Sequence, residues 1–235
     1  MKRLAAALTA LITAGILVPA LSQDWSITAI ARKSGLNWQE AAATVLLSEL
    51  LDINATLILS TRRETKEPVF GLAPAFYIAK VSGQPVAVVW KGKGKGQGWG
   101  MVAHRLRVHP GVFNKSRVWL QKASDEEFNW VLWMMILSKV FKARAEQMSA
   151  WQKVGLSVGD MISLFQIAQG SQTPPDQVLS LWTKEKDWDK VRKKFGVSPD
   201  WLPPIKKIGR EKPEEVESVR EGNGKEKGKG RGRSR

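Results

Sequence analysis

The chain has 235 residues, of which 43% are hydrophobic, so it is long enough to bury a substantial core. It carries 37 Lys and Arg against 22 Asp and Glu, a formal net charge of +15, which favours anionic partners. It contains no cysteine, which excludes disulfide bonds and thiolate metal centres and leaves packing to hold the fold.

The first 22 residues have the pattern of a secretory signal peptide. Residues 1–3 are basic at two positions, residues 4–21 form an uncharged apolar run, and small residues stand at Ala20 and Ser22. We expect cleavage after Ser22 and an exported protein, located in the periplasm, at the cell surface or in the medium. The alternative is an uncleaved membrane anchor, but the run is short for a span and Pro19 would break its helix. No later segment is apolar for long enough to cross a membrane.

Residues 203–235 have the composition of a disordered basic tail. Gly, Pro, Lys, Glu and Arg dominate there, so the segment cannot bury enough apolar surface to offset the entropy lost on ordering. The tail could bind anions or could serve only to keep the protein soluble. Its candidate anion-binding side chains are Lys225, Lys227, Lys229, Arg231, Arg233 and Arg235.

The body between these two segments contains an internal duplication. Residues 76–113 and 165–202, aligned at an offset of 89, are identical at eleven of 38 positions. The second helix of each copy is predicted to begin at Pro85 or Pro174, with Thr173 as an N-cap in the second copy. The first helix of each copy is predicted to stop at a glycine, Gly83 or Gly170. The third carries an apolar stripe: Trp99, Val102 and Leu106, or Trp188, Val191 and Phe195.

Several cap signals predict helices outside the duplication. Capping boxes are expected at Asn37, Ser124 and Ser157, each followed three residues later by an acidic residue, and Asn54 is expected to cap another helix. Residues 128–141 are apolar on nearly every face, which indicates a buried central helix. The sequence therefore predicts an all-α fold of nine to eleven helices in stacked helix-turn-helix units. The units of this domain, 23–202, are roughly 24–66, 70–115, 124–160 and 161–202.

One stretch resembles a segment of uncharacterised exported bacterial proteins with short helical repeats. It runs Gly96-Gln97-Gly98-Trp99-Gly100-Met101-Val102-Ala103-His104-Arg105-Leu106 and is followed by His109-Pro110-Gly111. The resemblance covers roughly residues 70–115. The second copy departs from it, because Asp187-Trp188-Asp189 replaces the glycines that flank the tryptophan. Such proteins have no known activity, so the resemblance implies export and a helical fold and nothing about function.

A loop rich in lysine and glycine, Lys91 to Gly98, is the candidate anion site of the body. Its glycines let backbone N–H groups approach an anion, and Lys91, Lys93 and Lys95 add positive charge. It matches neither a P-loop nor a dinucleotide fingerprint. The equivalent stretch of the second copy, 183–187, lacks glycine, so the alternative is a mobile solvated turn without a ligand.

The sequence predicts no catalytic residue, metal site or cofactor. His104 and His109 are the only histidines, and their spacing puts them on different sides of a helix. No Gly-x-Ser-x-Gly elbow is present. The acidic cluster at 125–127 is expected in the first turn of a helix, where the helix dipole explains it.

These features favour an exported, non-catalytic interaction or scaffold protein that binds anionic polymer, such as cell-surface polysaccharide or lipid, or nucleic acid. Two alternatives stay open at this point. If the N-terminus is not a signal, the helix-turn-helix units fit a DNA-binding protein. An unrecognised enzyme that uses carboxylates between helical units is the other. The sequence does not indicate the oligomeric state.

Overall fold

The computed structural model of the protein describes residues 25–94 and 96–208. This part of the chain contains helices and no strand, which confirms the predicted all-α fold. The predicted signal peptide, Lys95 and the chain from residue 209 onward lie outside the described residues.

Twelve α-helices and one 3₁₀ helix are present in the described residues. The α-helices are α1 (Ile27–Ser34), α2 (Trp38–Leu51), α3 (Ala55–Thr65), α4 (Val69–Ser82), α5 (Val86–Lys93), α6 (Trp99–Arg105), α7 (Arg117–Lys122), α8 (Asp125–Phe141), α9 (Ala145–Lys153), α10 (Val158–Gly170), α11 (Pro175–Glu185) and α12 (Trp188–Lys194). The 3₁₀ helix is Pro110–Phe113. The count exceeds the predicted nine to eleven partly because Lys142, at φ 56°, separates α8 from α9 where no Gly or Pro marks a break.

The internal duplication extends through the whole helical body. The helices α4, α5 and α6 recur as α10, α11 and α12 at the predicted offset of 89. The helices α1, α2 and α3 recur in order as α7, α8 and α9, at an offset near 90, which the sequence pattern did not reveal. Ser26 and Ser116 cap α1 and α7 through the same side-chain hydrogen bond. The described residues therefore form two halves in tandem, each with six α-helices.

Four long helices form the centre of the molecule. They are α2, α4, α8 and α10, and each contributes at least seven buried residues. The helix α2 packs against α4 and α10, and α8 packs against the same two helices, so the contacts close into a ring. The ring is symmetric, because exchanging α2 with α8 and α4 with α10 leaves the same set of helix contacts. The units thus stack around a shared core, and the first and last units touch, unlike those of an open solenoid, in which each repeat meets only its neighbours.

Where the two halves meet, matched positions carry side chains of different size. Trp133 of α8 corresponds to Ala43 of α2, and Phe70 of α4 corresponds to Gly159 of α10. The rings of Trp133 and Phe70 meet edge to face with their centroids 5.5 Å apart. A Cβ atom on Gly159 would lie 3.3 Å from the Phe70 ring. Phe70 of the first half therefore fills space that Gly159 of the second half leaves.

Most predicted caps are present. Asn54 accepts a hydrogen bond from the Thr56 amide, and Ser157 and Asp160 form a complete capping box. Asn37 and Ser124 also cap their helices, but the acidic partners of both bond elsewhere, so neither box is complete.

One prediction about a helix start is wrong: Thr173 is not an N-cap, because Pro174 occupies that position and has no side-chain acceptor. The first helix of each copy ends where predicted, with Gly83 following α4 and Gly170 as the last residue of α10. The left-handed residue beyond α10 is Gln172, at φ 56°.

The predicted tail begins six residues too early. Residues 203–208 pack on the body: Ile205 and Ile208 are partly buried against the core. The Ile208 amide donates a hydrogen bond of 2.7 Å to the carbonyl oxygen of Leu50, in the last turn of α2. Lys207 forms an ion pair of 2.7 Å with Asp52. Two apolar side chains three residues apart are enough to hold this short extended segment once a helix end offers it an acceptor.

Acid should loosen residues 203–208 before the body unfolds. The hydrogen bond and charge of Lys207, helped by Lys80, hold the pKa of Asp52 below its usual range. A carboxyl whose pKa is lower in the folded state stabilises the attachment at neutral pH, and this contribution disappears as the pH falls through the folded-state pKa. We therefore expect the protection of the Ile208 amide, measured relative to its intrinsic exchange rate at each pH, to fall below about pH 4. The variant Asp52→Asn should show this lower protection already at neutral pH, and equal protection in both proteins would contradict this.

Candidate anion-binding surface

A long stretch of the first half contains no acidic residue. Between Glu67 and Asp125 the chain has nine Lys and Arg residues and no Asp or Glu. This stretch forms α4, α5, α6 and α7. Its basic residues are Lys80, Lys91, Lys93, Lys95, Arg105, Arg107, Lys115, Arg117 and Lys122.

Close packing joins α5, α6 and α7 into one surface. A Cβ atom on Gly100 of α6 would lie 2.0 Å from the carbonyl oxygen of Leu120 in α7, so only glycine allows these two backbones to approach so closely. The side chains of His104 and Gln121 join the same two helices, with 2.9 Å between their nitrogens. The Arg105 guanidinium lies against Gly92 of α5. Gly100, which follows Trp99, thus serves helix packing.

Six cations of this surface are exposed: Lys91, Arg105, Arg107, Lys115, Arg117 and Lys122. None of them forms an ion pair with a described carboxylate. Lys115 lies over the Trp119 ring, with its ammonium 5.6 Å from the ring centroid, which leaves the charge facing solvent. We call these six residues the basic face. Their charges are therefore available to an external anion.

Lys93 behaves differently from these six. It is partly buried and forms an ion pair with Asp125, the first residue of α8. The other carboxylate oxygen of Asp125 accepts a hydrogen bond of 2.7 Å from the amide of Trp99. Asp125 therefore caps the N-terminus of α6 and also pairs with the last residue of α5. Lys93 is a structural partner of this carboxylate and is not available to an external anion.

The predicted lysine-glycine loop is a loop only in part. Lys91, Gly92 and Lys93 form the last turn of α5, so their amides bond within the helix and cannot cradle an anion. Gly96 has the left-handed φ of 75° expected of a tight turn. Lys91 is exposed, Lys93 is paired, and Lys95 lies outside the described residues. The six tail residues predicted to bind anions, Lys225, Lys227, Lys229, Arg231, Arg233 and Arg235, also lie outside them.

The second half has the matching helices but a different balance of charge. Residues 69–107 carry six basic and no acidic residues, whereas the matching residues 158–196 carry six basic and five acidic residues. Lys194 pairs there with Glu185, and Arg192 pairs with Asp189. The Lys194 contact holds the pKa of Glu185 below its usual range. The same fold is thus compatible with a neutralised surface, so the excess charge of the first half is not required for folding.

The histidines have structural partners. The His109 ring accepts a hydrogen bond of 3.1 Å from the amide of Gly111 and so begins the 3₁₀ helix, and His104 contacts α7 as described above. In the part of the chain that the structure describes, no group of three or more His, Asp or Glu residues is placed to hold a metal ion. The helices described here include none that is long and apolar enough to span a membrane.

Comparisons with known proteins return no relative. No family model, no curated protein and no solved structure matches the chain.

Proposed function

We propose that the protein is an exported, non-catalytic interaction protein that binds polyanions through the basic face. The observation that carries this proposal is the stretch without an acid between Glu67 and Asp125. Its packed helices α5, α6 and α7, with the connection between α6 and α7, carry six exposed, unpaired cations. The ligand class follows from the charge: a polymer of phosphate, sulfate or carboxylate groups engages several cations at once and releases its bound counterions. The proposed location outside the cytoplasm rests on the sequence of residues 1–22.

Charge placement can be tested with two matched triple variants. One removes three cations of the basic face, Lys91→Gln, Arg117→Gln and Lys122→Gln. The other removes three exposed cations elsewhere, Lys153→Gln, Lys184→Gln and Lys193→Gln. Both lower the net charge by the same amount, so they differ only in where the charge is lost.

Binding of each variant to duplex DNA and to heparin is measured over a range of salt concentrations. We expect the basic-face variant to bind DNA at least tenfold more weakly, with a slope of log K against log salt shallower by about 2 to 3, because each lost phosphate contact removes about 0.9. The control variant should change the affinity less than threefold. Equal losses in the two variants would show that total charge alone drives binding and would refute the basic face.

The contribution of the tail is separated by truncation. The cut belongs after residue 208, because residues 203–208 pack on the body. If the tail also binds, truncation lowers the affinity of the wild-type protein and of the basic-face variant by the same factor. If truncation leaves binding unchanged, the tail residues from 225 to 235 have no role in it.

A further inference from the structure

The two halves end their matched helices α2 and α8 with the same turn. The Ser48 hydroxyl donates to the carbonyl oxygen of Ile53 at 2.7 Å, and the Ser138 hydroxyl donates to the carbonyl oxygen of Ala143 at 2.6 Å. The residue after each helix is left-handed, with φ 53° at Asp52 and φ 56° at Lys142. Both turns thus present the same backbone shape to a neighbouring segment.

In the first half, an extended segment of the chain itself occupies this turn. Residues 203–208 bond to the last turn of α2 through the amide of Ile208 and pair with Asp52 through Lys207. Lys80 of α4 adds a second cation near Asp52, at 3.8 Å. The site therefore accepts an extended peptide by one backbone hydrogen bond, two apolar side chains and one ion pair.

In the second half, the corresponding place is a groove with a volume of about 340 Å³. It is lined by the turn after α8, by Phe165 and Gln169 of α10, and by Gln172, Thr173 and Pro175 before and at the start of α11. A groove of this size is within the range of small ligand and peptide sites. No described segment fills it as residues 203–208 fill the first site.

The charge of the groove is opposite to that of its filled counterpart. Lys142 stands where the first half has Asp52, and Arg144 lies beside it; both are exposed. Lys142 donates a hydrogen bond of 3.2 Å to the carbonyl oxygen of Lys139 and forms no ion pair with a described carboxylate. Gln169 replaces the cation Lys80. A segment seated here would therefore need acidic side chains where residues 203–208 carry lysines.

We infer that this groove, which we call the acceptor groove, binds an extended acidic segment of a partner protein. The segment donates a backbone amide to the last turn of α8, places apolar side chains against Phe165 and pairs a carboxylate with Lys142 and Arg144. The inference stands apart from the proposed function, since polyanion binding uses α5, α6 and α7 and the acceptor groove lies between α8, α10 and α11.

The test uses two hexapeptides derived from the segment that fills the first site. The first is the native sequence Pro-Pro-Ile-Lys-Lys-Ile, which stands at residues 203–208, and the second replaces both lysines with glutamate. Each peptide is titrated into the full-length protein while backbone amide chemical shifts are recorded by NMR. We expect the acidic peptide to shift the amides of Lys142, Arg144 and Gln172 and to bind at least tenfold more tightly than the basic peptide.

Two double variants distinguish binding in the groove from attraction by the net charge of the protein. Lys142→Glu with Arg144→Glu should reverse the preference between the peptides, whereas Lys139→Glu with Lys153→Glu changes the net charge equally and should leave it intact. Equal binding of both peptides to the wild-type protein would overturn the inference. A third variant, Glu214→Lys with Glu215→Lys and Glu217→Lys, tests the chain's own acidic segment. If the acidic peptide binds only to this variant, the groove takes that segment and the assignment to a partner protein fails.

Discussion

Replacing Trp133 with alanine should lower the free energy of unfolding by about 4 kcal/mol, the cost of deleting a fully buried large aromatic side chain. Trp133 has no exposed surface and lies in α8, at the centre of the ring of four helices. Its ring packs edge to face on Phe70, and its counterpart Ala43 is too small to compensate. Chemical denaturation, followed by circular dichroism at the helical band, measures the loss.

Trp133 also satisfies a backbone group that the sequence itself leaves without a partner. Pro74 lies inside α4 and has no N–H, so the carbonyl oxygen of Phe70, four residues earlier, receives no bond from it. The indole Nε1 of Trp133 donates to that oxygen at 3.0 Å. Any substitution that removes the indole leaves a partly buried carbonyl without this donor, at a cost of about 1 kcal/mol.

A double-mutant cycle isolates this hydrogen bond from packing. Trp133→Phe keeps a large ring but removes the donor, and Pro74→Ala restores a backbone N–H four residues after Phe70. We expect Trp133→Phe to cost about 1 kcal/mol less in the Pro74→Ala background than in the wild type, because the new amide can serve the same oxygen. Additive effects of the two substitutions would contradict this role of Trp133.

The all-α fold was predictable because it depends on local signals. Capping residues such as Asn54 and Ser157 act on the next three amides of their own helix, so a short window of sequence contains the whole interaction. The duplication was visible between 76–113 and 165–202 because tryptophans and prolines persist there. Its first part was hidden, since matched residues there differ greatly in size, as Trp133 and Ala43 do.

The candidate site was less predictable, because pairing across the fold decides which cations are free. Nothing within α5 distinguishes Lys91 from Lys93, and the partner of Lys93, Asp125, is 32 residues away. The signal that sequence reasoning overlooked is the lack of acids between Glu67 and Asp125, which requires no structure to notice. The acceptor groove has no such signal. Its interpretation depends on a site in the other half that residues 203–208 fill, and composition alone assigned those residues to the tail.

Replacing Glu40 with alanine should lower the free energy of unfolding by about 3 kcal/mol, the lower end of the cost of breaking a buried ion pair, because Arg62 is partly exposed. Both carboxylate oxygens of Glu40 accept from the guanidinium of Arg62, at 3.1 and 3.0 Å. One of them also accepts from the amide of Val69, the first residue of α4, at 3.2 Å. Pro68, before it, offers no side-chain cap, so Glu40 caps a helix other than its own.

Two substitutions distinguish this role from a general effect of charge. Glu40→Gln keeps an oxygen for the Val69 amide but loses the charge, so we expect about half the loss seen with alanine. Glu49→Ala removes an exposed carboxylate from the same helix and should change the stability by less than about 0.5 kcal/mol. After correction for the difference in global stability, the Val69 amide should exchange with solvent faster in Glu40→Ala than in the wild type. If Glu40→Ala and Glu49→Ala have the same effect on stability, Glu40 does not link α2, α3 and α4, and the N-terminus of α4 is held by packing alone.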